Sequence, residues 1–190
     1  HYTPQLRVII ASARAQGLKI PLLWNSSAYE KVETLKSLNQ LVDIYLPDLK
    51  YSHGVYAKKY SHAADYPEVA LDAIREMYSQ VGPLSVDADG IAQKGVLVRL
   101  LVLPQGLSGT EHNLRRLADE IGTEVPVSLM GQYYPAGDAG QHSELGRGIN
   151  RDEYQKVLDT ANELGFSNVY VQEISSNDFW TPKFHKEQQD

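Results

Sequence analysis

The sequence predicts an α/β fold in which parallel strands are flanked by outer helices. Stretches with helical periodicity alternate along the chain with short apolar runs that are typical of buried strands. A helix between two such strands normally joins them as parallel neighbours through a right-handed crossover. Several of the apolar runs end in polar or charged residues. Since ligands of α/β sheets and barrels bind at the carboxyl ends of the strands, this pattern also predicts a site there.

The first part of the chain alternates helix and strand twice. A threonine, a proline and an apolar periodicity predict a helix over residues 3–17, with glycine at its end. Residues 20–24 form the first predicted strand, residues 29–40 the second helix and residues 41–46 the second strand. The two strands are therefore expected to pair in parallel.

The middle of the chain is predicted to be helical over residues 53–80, with a new helix starting at Pro67. The tyrosines of this region are interpreted as core packing. Residues 87–90, DADG, resemble part of a calcium loop, but the downstream glutamate that such a loop requires is missing. A hairpin turn is predicted there instead.

The most strand-like run is GVLVRLLVL at residues 95–103. The elements predicted after it are a helix that is capped by Ser108 or Thr110 and runs to residue 121, a strand at 125–130, a glycine-rich loop and candidate lid at 136–148, a helix from Asn150 or Arg151 to residue 164, and a strand at 168–172. Residues 1–174 are expected to form one domain, and residues 175–190 a polar tail.

Charged and polar residues follow the predicted strands. Asp48 and Lys50 close the second strand and, being two residues apart, project to one face. Arg99 interrupts the most apolar strand, so it must pair with a carboxylate or bind an anion. The other residues that fall just beyond strands are Asn25, Ser26, Gln132 and Tyr133. A shared cleft explains this placement; a surface ion pair at Asp48 and helix capping by Asn25 and Ser26 are the alternatives.

Composition narrows the classes of function. The net charge is −6 and the basic residues are dispersed, which argues against a nucleic-acid surface. The chain has no cysteine, which excludes disulfides and thiolate metal sites within it. Its six histidines form no H-x-x-x-H pair, so no metal is assigned. Since neither a membrane-length apolar run nor a signal peptide is evident, we expect a cytoplasmic protein with a small-molecule or protein partner and no membrane partner.

Four stretches, WNSSAYE, DIYLPDLKY, VDADGIAQKGVLVRLLVLPQG and VPVSLMGQYYP, resemble the later half of radical S-adenosylmethionine proteins. The likeness is to relatives of the pyruvate formate-lyase activating enzymes, in a poorly characterised branch, and it covers most of the chain. It implies a partial (β/α)6 barrel whose carboxyl end holds a four-iron four-sulfur cluster and S-adenosylmethionine. In such enzymes, reductive cleavage yields a 5′-deoxyadenosyl radical that abstracts hydrogen from a substrate, which can be a protein.

The resemblance also implies roles for individual residues. Lys50 and Arg99 match family positions that contact the cofactor. Asp48, together with Asn25, Ser26 and the Leu46 carbonyl, matches a place where activating enzymes can hold a monovalent cation, although a carboxylate often stands where this chain has Asn25. Gln132 or Tyr133 would lie near the adenine, and no catalytic residue is assigned.

The chain departs from the family in lacking the three-cysteine motif C-x-x-x-C-x-x-C and the glycine-rich segment after the second family strand. Without thiolates, this chain cannot ligate the cluster as the family does. We therefore expect the carboxyl-terminal part of a longer enzyme, truncated at its first strands and inactive alone. The strand at 20–24 would then be an exposed edge that invites homodimerisation.

Two further interpretations of the same residues remain open. In a Schiff-base enzyme of the aldolase type, Lys50 would be activated by burial or by the nearby Arg99. In a binding module without chemistry, Lys50 and Arg99 would clamp an anionic or nucleotide-like ligand.

Overall fold

The computed structural model describes residues 2–172 and consists of parallel strands with flanking helices. Its elements in order are α1 (Thr3–Ala15), β1 (Leu23–Ser26), α2 (Val32–Lys36), β2 (Ile44–Pro47), α3 (Gly54–Ser61), α4 (Tyr66–Val81), β3 (Ser85–Val86), β4 (Ala92–Val96), β5 (Val98–Leu101), α5 (Thr110–Glu120), β6 (Val127–Met130), α6 (Arg151–Glu163) and β7 (Val169–Val171). Short 3-10 turns cover Pro104–Gly106, Gly137–Gln141 and Ser143–Leu145. The predicted tail at 175–190 lies outside the described residues.

The strands form one sheet in the order β1-β2-β4-β3 and a second in the order β5-β6-β7. All pairs are parallel except β3 with β4. β2 joins the two sheets, because Asp48 just beyond it bridges to Arg99 of β5 and the Leu49 amide donates to the Arg99 carbonyl at 2.8 Å. The α/β class with parallel strands and outer helices is thus confirmed.

The strand predicted at 95–103 is divided between β4 and β5. One edge of this segment stays with β2, since the Leu97 amide donates to the Tyr45 carbonyl at 3.0 Å. The other edge changes partner: the Val96 amide donates to Gly82, whereas the Val98 amide donates to Pro126 beside β6. The exchange of neighbour from the β3 side to β6 is the reason for the division.

The core lies between β2, β4, β5 and β6 and the helices that cover them. All four residues of β6 are buried, and α4 buries seven of its sixteen residues, among them Ile74 and Met77. Helix α1 forms where predicted but buries none of its side chains, so its apolar periodicity does not mark a core face among the described residues.

Several predicted boundaries shift for local reasons. The second helix was predicted over 29–40, but α2 covers only Val32–Lys36 and turns follow it. His62, in the left-handed region at φ 55°, ends α3, and the next helix starts at Tyr66, one residue before the predicted Pro67. The predicted cap of α5 by Ser108 or Thr110 is wrong, because the helix begins at Thr110 itself behind Gly109 and has no side-chain cap.

Two local predictions are confirmed. Residues 87–90 form the turn between β3 and β4, and Asp87 Oδ1 accepts hydrogen bonds from the amides of Asp89 and Ile91. Asn150 caps α6 in a reciprocal capping box with Glu153. None of the helices within residues 2–172 combines the length and the apolar character that a membrane span requires.

Candidate functional site

An ion cluster lies at the carboxyl end of β2, beside Arg99 of β5, and it is built around the carboxylate of Asp48. Arg99 approaches one oxygen of this carboxylate, with Nε and Nη2 at 2.7 and 2.6 Å from Oδ1. The ammonium of Lys50 faces the other oxygen at 3.5 Å. The parallel register that places Asp48 beside Arg99 explains how residues 51 positions apart meet. Arg99 therefore pairs with a carboxylate, one of the two predicted alternatives, and that carboxylate is Asp48.

Asn25 completes this cluster from β1. Its Oδ1 accepts a hydrogen bond from Arg99 Nη2 at 2.7 Å. The guanidinium of β5, in the second sheet, therefore contacts a side chain of β1 and the side chain that follows β2, both in the first sheet. We call Asn25, Asp48, Lys50 and Arg99 the strand-end cluster.

The strand-end cluster carries one surplus positive charge, since two cations face one carboxylate. The Asp48 and Arg99 side chains are mostly buried, at 16% and 25% exposed, whereas the Lys50 side chain is 41% exposed. An ammonium has three donors, and the contact to Asp48 is longer than a direct hydrogen bond. Lys50 is thus the member of the strand-end cluster that is best placed to receive an anionic group.

Tyr66 fixes the backbone beneath this cluster. Its hydroxyl lies 2.7 Å from the Asp48 carbonyl oxygen and 2.9 Å from that of Ser27, and it accepts from the Lys50 amide at 3.0 Å. Burial raises the pKa of the Tyr66 hydroxyl above its ordinary value, which keeps it a hydrogen-bond donor. Sequence reasoning interpreted this tyrosine as packing; its position in the first turn of a helix was the signal that it could reach the strand ends.

Ser26 and Gln132 have local partners instead. Ser26 Oγ accepts from the Ala28 amide at 2.9 Å, so this hydroxyl closes its own turn and does not cap α2. The Gln132 amide nitrogen lies 3.9 Å from the Met130 sulfur. The structure therefore brings four of the seven predicted site residues together, whereas the contacts of Ser26 and Gln132 are with their own chain neighbours.

Tyr133 is directed to a neighbouring cavity of about 350 Å³, which it lines together with Lys50. Its hydroxyl donates to the Leu145 carbonyl at 2.9 Å, within the loop predicted as a lid. The cavity thus starts at the strand-end cluster and is walled on one side by this loop.

A metal cluster finds no ligand set in this part of the chain. There is no cysteine anywhere in the sequence. Within residues 2–172, no three His, Asp or Glu side chains converge as a metal site would need. The iron–sulfur cluster implied by the family resemblance therefore does not fit the residues described.

Comparisons with known proteins support the fold. No family model matches the chain. An uncharacterised protein of Methanocaldococcus jannaschii is 25% identical over 168 residues, which are 88% of this chain and 46% of that protein. The chain therefore spans about half the length of this curated relative.

A solved structure is similar over nearly the whole chain. It is a crystal structure of a domain of pyruvate-formate lyase-activating enzyme from Bacteroides vulgatus. The TM-score is 0.61 at 16% identity, and the match covers 90% of this chain and 92% of that one. At this identity the likeness concerns the fold.

Proposed function

We propose that this chain forms the cofactor-binding end of a radical S-adenosylmethionine enzyme of the pyruvate formate-lyase activating type, with its strands in a partial barrel. The observation that carries the proposal is the strand-end cluster, which gathers Asp48, Lys50 and Arg99 at the strand edge where α/β folds bind ligands. The likeness in fold to a domain of an activating enzyme supports the same assignment.

The residues of the strand-end cluster fit one part of S-adenosylmethionine, its carboxylate. Lys50 would bind this carboxylate through the ammonium donors that Asp48 leaves free. Arg99, already oriented by Asp48 and Asn25, would support the ribose side, and Tyr133 would lie toward the adenine. In a complete enzyme, one-electron reduction of bound S-adenosylmethionine would release methionine and supply a 5′-deoxyadenosyl radical. The contribution of this chain is to hold and orient the cofactor.

The ligands of the iron–sulfur cluster would have to come from residues other than those of this chain, because this chain has no cysteine thiolate. We propose that this chain by itself binds the cofactor and does not cleave it. The complete assembly would then act on a protein substrate. The share of the archaeal relative that the chain matches, 46% of its length, is consistent with this division.

Arg99 already contacts two of the groups that were expected to bind a monovalent cation. Asn25 Oδ1 and Asp48 Oδ1, two of the cation's expected ligands, both contact the guanidinium of Arg99 at 2.7 Å. A cation at this position would have to displace Arg99 from both oxygens. The arginine already supplies positive charge there, so we assign no step to a bound cation.

The two alternatives fare differently. The Schiff-base interpretation requires Lys50 to be buried or unpaired beside another cation, but Lys50 is 41% exposed and faces the Asp48 carboxylate. A binding module without chemistry remains the second candidate, because the strand-end cluster has one surplus positive charge and the chain has no cysteine. It would bind anionic nucleotides as well as it binds S-adenosylmethionine, whether or not the ligand carries a sulfonium group.

Homodimerisation through β1 is a separate proposal about partners. β1 is the outermost strand of its sheet, and Leu23 is 52% exposed on it. An unpaired strand edge with an apolar side chain favours pairing with a second copy.

Calorimetric titration tests the proposed cofactor role. S-adenosylmethionine and S-adenosylhomocysteine should bind the wild-type chain, and Lys50→Ala should weaken binding by about tenfold, the loss expected of one charge-assisted hydrogen bond. Arg75→Ala, which removes an exposed ion pair with Glu120, is the matched control and should bind as wild type does. Equal binding by wild type and Lys50→Ala would contradict the assignment. Equal affinity for ATP would favour the binding module.

A further inference from the structure

The cavity beside Lys50 has the size and the lining of a ligand site in its own right. Its volume, about 350 Å³, lies in the range of small-molecule sites. Three tyrosines, Tyr51, Tyr60 and Tyr133, line it together with the leucines at 101 and 103. Aromatic rings and leucines favour an apolar and planar ligand body.

The charges in the lining cancel. Lys50 contributes one ammonium and Asp138 one carboxylate, and the remaining lining residues carry no formal charge when His142 is neutral. A ligand with a single charge would therefore meet a group of its own sign as well as a partner. Polar contact is offered by the hydroxyls of Tyr51 and Ser61, which lie 3.1 Å apart and can exchange their mutual bond for one to a ligand.

One wall of the cavity is held in place by side-chain contacts only. Glu144 accepts hydrogen bonds from the Tyr60 hydroxyl at 2.9 Å and from Lys59. His142 meets the Tyr60 ring edge to face, with 5.2 Å between ring centres. These contacts attach the segment Gly137–Leu145 to α3.

We propose that this cavity binds a small neutral aromatic molecule with one hydrogen-bonding group, and that Gly137–Leu145 forms its removable wall. The site lies next to the strand-end cluster. It shares Lys50 and Tyr133 with the proposed S-adenosylmethionine site, so the two ligands would compete, but it does not use Arg99 or Asn25.

Titration followed by amide NMR signals tests the proposal, with indole and 4-methylphenol as probes and benzylamine and benzoate as charged comparators of similar size. The neutral probes should shift signals of cavity residues and bind at least about threefold more tightly than the charged ones, the margin expected when a like charge opposes the ligand. Saturable shifts confined to other regions, or none at all, would overturn the proposal. Equal affinity for the charged comparators would overturn the neutral ligand class.

Filling the cavity provides the matched test. Ala139→Phe adds a ring to the lining and should weaken indole binding by at least about tenfold, whereas Ala11→Phe, at an exposed position of α1, should leave it unchanged. Ala136→Phe serves the same purpose if Ala139→Phe melts early. Indole binding as tight as wild type in a folded cavity-filled variant would refute this location.

The wall has its own variant. Glu144→Gln removes the charge that Lys59 and Tyr60 contact and should weaken indole binding by about two- to fivefold, in keeping with an exposed ion pair. No change in affinity would show that the wall does not contribute. Arg99→Ala separates the two sites, since it should reduce binding of S-adenosylmethionine and preserve that of indole.

Discussion

Removing the hydroxyl of Tyr66 tests whether one side chain holds the two strand ends in position. The hydroxyl serves the carbonyl groups of Ser27 and Asp48 and the amide of Lys50, at 2.9, 2.7 and 3.0 Å. A hydroxyl has one proton, so it donates to the two carbonyls in turn and accepts once, which amounts to two full bonds. Tyr66 is 4% exposed, so water does not readily replace these bonds.

The expected loss follows from these two bonds. A buried group left without its partner costs about 1–3 kcal/mol, so the loss of two bonds in Tyr66→Phe should lower the free energy of unfolding by about 2–6 kcal/mol. For a chain of this length, that corresponds to a melting temperature lower by about 4 to 24 °C. Urea unfolding monitored by circular dichroism gives the free energy directly.

Tyr45→Phe is the matched control, because it removes one hydroxyl bond, to Gln80 at 2.8 Å, from a side chain that is fully buried. It should cost about 1 kcal/mol. If Tyr66→Phe costs no more than Tyr45→Phe, the hydroxyl does not hold the strand ends. Tyr66→Phe should also weaken binding of S-adenosylmethionine, since the Lys50 amide loses its hydrogen bond to the Tyr66 hydroxyl.

The remaining predictions concern pH and association. The Arg147 guanidinium holds the pKa of Glu153 down at about 2, below its ordinary 4.5, so this stabilisation is complete above about pH 4.5 and is lost as the pH falls toward 2. Glu153→Gln should therefore destabilise the chain at pH 7 and have little effect at pH 2, and an equal effect at both would contradict this. Sedimentation should reveal a dimer that Leu23→Lys disrupts; a strict monomer at high concentration would count against pairing through β1.

The succession of helices and strands and the chemistry at the strand ends followed from the sequence. Local signals sufficed where a turn or a helix start is made by neighbouring residues, as at the start of α6 beside Asn150 and in the turn at 87–90. Apolar runs predicted buried strands because burial selects for them regardless of the partner, and β2, β5 and β6 are buried or half-buried. The run at 20–24 is the exception, since the strand forms at Leu23–Ser26 and its residues are exposed or half-buried. The placement of Asp48 and Lys50 on one face required only the period of a strand.

Tertiary structure decided which of the predicted residues meet. Arg99 could have paired with any carboxylate, and only the register of β2 beside β5 places Asp48 there. The division of the 95–103 strand and the role of the Tyr66 hydroxyl likewise depend on chain segments far apart in sequence. Helix α1 shows the converse, an apolar periodicity without a buried face among the described residues. Periodicity reports what a segment can bury, whereas register and neighbouring chain segments determine what it contacts.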